Sequence, residues 1–237
     1  MEKDDIFDYP QAVLDFSFDE RTTAVFADMV HRSIPAYAAL LQMNAAIGDY
    51  FLRQGEAQGK IYDLGCSLGG VSLALRRVIP ADWQIVAVDN SAAMTKRFSQ
   101  YIEGAGIQNI KVETADICAY PIADAKLVVL NFVLQFIAPE ERLKVLEKIY
   151  RALHSGGVLL LAEKTSYSDD FSCFFHENFK RHQGYSELAI AQKRESLEQV
   201  MRVDSVQKIE ERLKNIGFSQ VIPYFQAFSF RAWAAIK

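Results

Sequence analysis

The chain is short of cysteine, of positive charge and of long apolar runs, and each shortage excludes something. Its three cysteines, Cys66, Cys118 and Cys173, are odd in number and irregularly spaced. They form no disulfide framework and suit a reducing, cytoplasmic setting. Lys and Arg total 26 against 30 Asp and Glu, a formal net charge of −4. The bulk positive field that draws proteins onto phosphate backbones is missing, so direct nucleic-acid binding is not expected. The longest apolar-rich stretch, Leu127 to Ala138, is interrupted by Asn131 and Gln135 and is too short for a membrane span. The opening Met1-Glu2-Lys3-Asp4-Asp5 is acidic with no apolar run behind it, so it does not read as a signal peptide. His176 and His182 lie six apart, poor metal spacing, and with no Cys or His cluster no metal is expected. There is no internal repeat and no low-complexity segment.

What is present is a chain of 237 residues, half of them hydrophobic and 24% charged, an ordinary globular composition. A chain this long buries roughly 70–75% of its unfolded surface without staples. One domain over residues 1–237 is expected, with a helical arm over 1–55 and a cap insertion over about 165–203. Residues 1–20 read as an ordered arm or lid. Glu20 to Leu52 is helical in pattern, broken in two at Pro35. Beyond it, strand and helix alternate. Strands are predicted over Lys60–Leu64, Trp83–Val88, Asn109–Thr114, Lys126–Leu130 and Val158–Ala162. Helices are predicted over Val71–Val78, from the N-cap Ser91 to Gly104 or Gly106, and from Pro139-Glu140-Glu141 to Ser155-Gly156-Gly157. Apolar strands separated by helices imply a doubly wound, mostly parallel α/β sheet of the Rossmann-like kind. Asp169 to Met201 reads as cap helices, preceded by a short loop after Tyr167. Asp204 to Ile216 reads as an amphipathic helix capped by Gly217. Val221–Phe228 and Arg231–Ile236 then read as an antiparallel edge hairpin.

In such sheets ligands bind at the carboxyl ends of the strands. Three of these ends carry matching chemistry. The first is Asp63-Leu64-Gly65-Cys66-Ser67-Leu68-Gly69-Gly70. The second is Asp89-Asn90, 24 residues beyond Gly65, and the third is Asp116-Ile117. A pyrophosphate cofactor wants a second glycine where Ser67 stands, which disfavours a nicotinamide enzyme. S-adenosylmethionine (SAM) has no phosphate. Asp89 can accept from its ribose hydroxyls, Asp116-Ile117 can hold the adenine, and Gly65 lets the turn pass close to the methionine portion. Asn131 ends the fourth strand as Asn131-Phe132-Val133-Leu134, not the Asn-Pro-Pro-Tyr of base-modifying amino-methyltransferases. Cys66 has no His near it in sequence and reads as a small residue at a tight turn. Phe171, Phe174, Phe175 and Phe179 follow helical spacing and read as the apolar face of a cap helix.

At this point the chain resembles the Rossmann-like SAM-dependent methyltransferases. Within them, Phe18-Asp19-Glu20-Arg21, Arg32-Ser33-Ile34-Pro35, Tyr62 to Gly69, Asp89-Asn90-Ser91, Leu130-Asn131-Phe132, Gly184 to Leu188 and Gln192-Lys193-Arg194 are similar to the carboxy-S-adenosyl-L-methionine synthase family. The resemblance implies that prephenate carboxylates the SAM methyl carbon, releasing phenylpyruvate. It implies a homodimer whose product, carboxy-SAM, passes to a partner enzyme that carboxymethylates the wobble uridine of some tRNAs. It places Tyr37, Gly65, Cys66, Ser67, Asp89, Asn90, Asp116, Ile117, Asn131 and Arg194 at the ligand site. Arg194 is expected to clamp the new carboxylate, since a guanidinium fork matches one, while Lys193 and the Lys180-Arg181 pair are expected at the surface. Aromatisation drives loss of CO2 and the ring hydroxyl together, so no strong general base is required of the protein. Two other readings remain open: a methyltransferase of a small molecule or RNA, and a non-catalytic SAM-binding subunit.

Overall fold

Side chains alternate across a strand, and here the alternation sorts the apolar residues into two cores. Tyr62, Leu64, Val86, Val88, Val128, Leu130, Leu159 and Leu161 share one core, and Ile61, Ile85, Leu127, Val129, Val158 and Leu160 share the other. The strands are therefore apolar on both faces, as buried parallel strands are. In the computed structural model, which describes residues 2–54, 59–166 and 170–237, they form β1 (Lys60–Leu64), β2 (Ile85–Asp89), β3 (Ile110–Thr114), β4 (Ala125–Asn131) and β5 (Leu153–Lys164). β6 (Gln220–Ala227) and β7 (Phe230–Ile236) complete a seven-stranded sheet of order β3-β2-β1-β4-β5-β7-β6. β1 to β5 pair in parallel, and β7 runs antiparallel to both β5 and β6. The order reverses between β1 and β4, which opens a crevice at their carboxyl ends.

The helices are α1 (Glu20–Ser33), α2 (Tyr37–Leu52), α3 (Gly70–Arg76), α4 (Ala92–Gly104), α5 (Arg142–Ala152), α6 (Asp170–His182), α7 (Glu187–Glu198) and α8 (Val206–Ile216). Residues of α5 and α8 (Val145, Leu146, Ile149, Ile209, Leu213) fill the first core. Residues of α2 and α3 (Leu52, Val71, Leu75) fill the second. Asp19 caps α1 by accepting from Thr22 N at 2.9 Å, and Ser91 caps α4. The break at Pro35 falls between α1 and α2, and Gly217 ends α8 with φ 117°. Among the described residues, no helix is long and apolar enough to cross a membrane.

Among the predicted boundaries that differ, two have a visible cause. Pro139-Glu140-Glu141 precedes α5 instead of opening it. The chain first makes a 3-10 turn at Leu134–Phe136, and Arg142 Nε donates back to Ile137 O at 3.0 Å. Ser155-Gly156-Gly157 belongs to β5, because the C-terminal residue pairs with it: Gly156 N donates to Lys237 O (2.9 Å) and Lys237 N to Gly157 O (3.0 Å). The loop expected after Tyr167 lies outside the described residues.

Candidate active site

The carboxyl ends of β1, β2 and β4 and the segment after β3 open into one cavity of about 790 Å³. β1 leaves the sheet through Gly65, whose φ is +75° and whose Cα faces Val133 so closely that a Cβ would sit 2.4 Å from it. Only glycine fits both conditions. Ser67 follows with φ 48°. A left-handed serine is uncommon, and its N–H is tied down by donating to Asp89 Oδ2 at 2.8 Å. Asp89 Oδ1 accepts from Ser91 N at 2.9 Å. One carboxylate thus joins the glycine turn to the start of α4, and each oxygen keeps a second lone pair for a ligand. Burial raises the Asp89 carboxyl, against these two N–H bonds.

Asp63, at the end of β1, is buried. Its Oδ2 accepts from Ser72 Oγ (2.6 Å) and Ser72 N (3.0 Å), while Oδ1 is buried with no partner among the described residues. Burial pushes its carboxyl up to about 6. Asn131, at the end of neighbouring β4, likewise has a buried Oδ1 with no partner among the described residues. Both residues line the cavity. In the sequence Asp63 opens the first strand-end motif but is not itself among the expected ligand residues, although an acid near the end of the first strand is its signal.

Tyr37 begins α2 and lines the cavity, with its hydroxyl close to Gly70. Burial, then the Asp63 charge, keeps that phenol protonated. Asp116 Oδ1 accepts from Cys118 N at 2.8 Å, which stiffens the turn carrying buried Ile117. Asn90 also lies in the wall. Cys66 is buried, and burial pushes its thiol far above the ordinary range, so it is no nucleophile. Phe18, from the N-terminal arm, meets Phe16, Phe26 and Phe136 edge to face at 5.2, 6.1 and 5.3 Å. All four line the cavity, an aromatic wall that sequence reading had not assigned to the site.

The far end of the cavity is basic. Lys164 at the end of β5, His176 and Lys180 on α6 and Lys193 on α7 line it. This corrects the expectation of surface lysines at 180 and 193. Lys193 is buried, paired with buried Asp4 at 3.1 Å and with Ser33 Oγ at 3.0 Å. Arg181 does face outward, pairing with Glu187 and Glu177. His176 Nε2 lies 2.9 Å from Ser33 O, and burial, then Lys180, holds the imidazole down to about 3. Among the described residues, no group of three or more His, Cys, Asp or Glu is placed to hold a metal ion. Arg194 is the one expected site residue that the chain does not bring to the cavity. Its side chain is 67% exposed and donates to Glu177 Oε1 at 2.8 Å. α7 turns Lys193 inward, and the next residue on a helix points about 100° away.

SAM requires acceptors for two ribose hydroxyls and an ammonium, and an apolar slot for adenine. Asp89 supplies the first. The orphaned Oδ1 atoms of Asp63 and Asn131 are acceptors that an ammonium would satisfy. Ile117 and the Phe18 cluster supply the slot, so the residues present fit the molecule.

A family model described as a methyltransferase domain matches residues 61–157. A putative SAM-dependent methyltransferase from Methanococcus maripaludis shares the fold, with a TM-score of 0.63 at 19% identity, covering 96% of this chain and 97% of that one. An O-methyltransferase family protein from Burkholderia thailandensis gives a TM-score of 0.68 at 15% identity, covering 93% and 60%. The carboxy-S-adenosyl-L-methionine synthase of Dichelobacter nodosus is 54% identical over 235 residues, covering 99% of this chain and 98% of that protein. The synthase of Photobacterium profundum is 46% identical over 242 residues, covering 99% and 98%. With the glycine turn, both strand-end acids and the full length of the chain accounted for, this protein belongs to the carboxy-S-adenosyl-L-methionine synthase family, transferases built on the methyltransferase fold.

Proposed function

We propose that the chain converts SAM and prephenate into carboxy-SAM, phenylpyruvate and water. SAM supplies the methyl carbon that becomes the carboxymethyl group. Aromatisation of prephenate expels CO2 and hydroxide; the carbon is captured, and the hydroxide leaves as water with one methyl proton. The observation that carries this reading is one continuous cavity with two chemistries: acids and a glycine turn at the sheet end, lysines at the cap end. A methyl transfer to a neutral acceptor has no use for the lysines. A second substrate bearing two carboxylates does.

On this reading the chain binds, orients and excludes water rather than supplying a strong base. Asp89, Asn90, Asp116 and Ile117 hold the nucleoside; Tyr37, Gly65, Cys66, Ser67 and Asn131 shape the methionine end. The aromatic wall keeps the reacting groups dry. The clamp role of Arg194 then requires a second copy of the chain, because in one chain its guanidinium lies outside the cavity. A homodimer is the assembly that supplies that copy, and the exposed Phe171, Phe174 and Phe175 of α6 offer apolar area for one. We place the enzyme in the cytoplasm, handing carboxy-SAM to a tRNA carboxymethyltransferase; unbridged cysteines and net acidic charge are in keeping with that and with no direct contact to tRNA. The test is mass spectrometry of SAM incubated with the enzyme, with and without prephenate. Carboxy-SAM and phenylpyruvate are expected only with prephenate. S-adenosylhomocysteine instead would identify a methyltransferase, and unchanged SAM a binding subunit.

A further inference from the structure

The cap end of the cavity is built for a particular anion. Lys180 and Lys193 face it from successive helices, with Lys164 and His176 beside them. Lys193 is already neutralised by Asp4. Lys180 is not served in that way. Among the described residues the carboxylate acting on it is Glu177, and Glu177 is engaged by Arg194 at 2.8 Å and Arg181 at 3.6 Å. Burial, then Lys164 and Lys193, pushes the Lys180 ammonium down to about 7. A cation held this way gains most from an arriving carboxylate. Apolar side chains, Phe132, Phe230 and Met201 among them, line the same cavity, and Phe230 meets the His176 ring at 5.0 Å. A ligand that suits both features has an apolar body and a carboxylate, as the second substrate of the proposed reaction does.

We propose that Lys180 is a specificity-determining residue that anchors the 2-oxo-acid arm of the second substrate, and that the lysines around it reject the 2-amino acid of the same skeleton. The inference rests on the proposed reaction for the identity of the substrate, and on the cavity for the anchor. An oxo acid brings one negative charge and a neutral acceptor to the lysines. The amino acid brings an ammonium into the same space, at a few ångströms from like charges in a partly desolvated site, where repulsion is strong. Discrimination of at least about 50-fold follows, from charge alone, between two ligands of nearly equal shape.

The experiment is calorimetry on the SAM-saturated protein, with phenylpyruvate and phenylalanine as the probes. Phenylpyruvate is expected to bind, with phenylalanine at least about 50-fold weaker. Lys180→Met is expected to weaken phenylpyruvate about 10- to 100-fold, to narrow the discrimination and to leave SAM affinity unchanged. Lys180→Arg should recover part of the loss. If Lys180→Met does not hold SAM, Lys180→Gln carries the same comparison. In turnover, Lys180→Met should raise KM for prephenate more than it lowers kcat. Wild-type affinity for phenylpyruvate in a folded Lys180 variant, or equal binding of the two probes by the wild type, overturns the anchor. A wild type that binds phenylpyruvate through Lys180 yet makes no carboxy-SAM from prephenate supports the anchor and overturns the proposed reaction.

Discussion

Asp63 shows how much one side chain can carry. Through Oδ2 it holds Ser72, and with it the first turn of α3; through Oδ1 it offers an unsatisfied acceptor at the cavity wall. Burial has raised its carboxyl to about 6, so the proton comes on within reach of ordinary buffers. The ionised form is the one that attracts an ammonium. As pH falls through about 6 that form is lost, and SAM affinity should fall with it, approaching tenfold per pH unit, while staying flat above pH 7. Asp63→Asn should bind SAM weakly and without the step. Calorimetric titrations between pH 5 and 8 decide it; a pH-independent affinity in the wild type would remove Asp63 from the ligand's contacts. Asp89 is a poorer place for such a test. It also holds Ser67 and Ser91, so truncating it would disturb the turn as well as the ligand.

At the scale of elements, the exit of β4 is shaped by its neighbour. Phe132 has φ 63°, a conformation that costs a bulky residue on the order of 1–3 kcal/mol. The chain is kept there by Glu163 of β5. Its Oε1 accepts from Val133 N (3.0 Å) and Leu134 N (2.8 Å), and its Oε2 from Gln135 N (2.9 Å). Burial raises this carboxyl to about 8, while the three N–H groups pull it down. Val133 in turn packs against Gly65, so Glu163 supports the glycine turn from a distance. Glu163→Gln would set an amide N–H₂ against backbone N–H groups. At pH 9, above the carboxyl's value of about 8, we expect a loss of about 1–3 kcal/mol, read as a lower urea midpoint at unchanged slope, together with weaker SAM binding. At pH 7, where the carboxyl is largely protonated, the loss should be smaller; an unchanged midpoint at pH 9 would remove Glu163 from the support of this turn.

For the whole molecule, the N-terminal arm and the cap close over each other. Asp4 sits between Lys193 and Tyr185; Gln192 Nε2 donates to Phe7 O (2.9 Å) and Tyr9 O (3.0 Å); Phe16 N donates to Ser196 O (3.0 Å). Ile6, Phe7, Val25, Met29, Tyr185, Ala189 and Ile190 form a separate small core beneath these bonds. Such a satellite unit opens at lower free energy than the sheet. Deleting residues 2–15 should therefore strip hydrogen-exchange protection from α7 while β1, β4 and β5 keep theirs, and should leave Lys193 without its carboxylate. Equal loss of protection in the sheet would show that arm and sheet unfold as one unit.

Local signals in the chain determine much about this protein. Near-continuous apolar runs marked the strands, because a strand buried on both faces must be apolar throughout. Asp19, Ser91 and Gly217 marked helix ends, because orphan backbone groups need such partners. Gly65, Asp89 and Asp116 marked the nucleoside end, because chemistry at strand ends keeps close to the strand in sequence. What tertiary structure alone decided is the other end of the cavity. Lys164, Lys180 and Lys193 come from three different elements, and Phe18 comes from an arm with little periodicity. Whether a helical lysine or arginine faces a cavity or solvent depends on how α6 and α7 are rotated against the sheet, and helix periodicity is the same for either rotation. Lys193 and Arg194 are adjacent in the chain, and long-range packing, through Asp4 at the other end of the sequence, chose which of the two turned inward within a single chain.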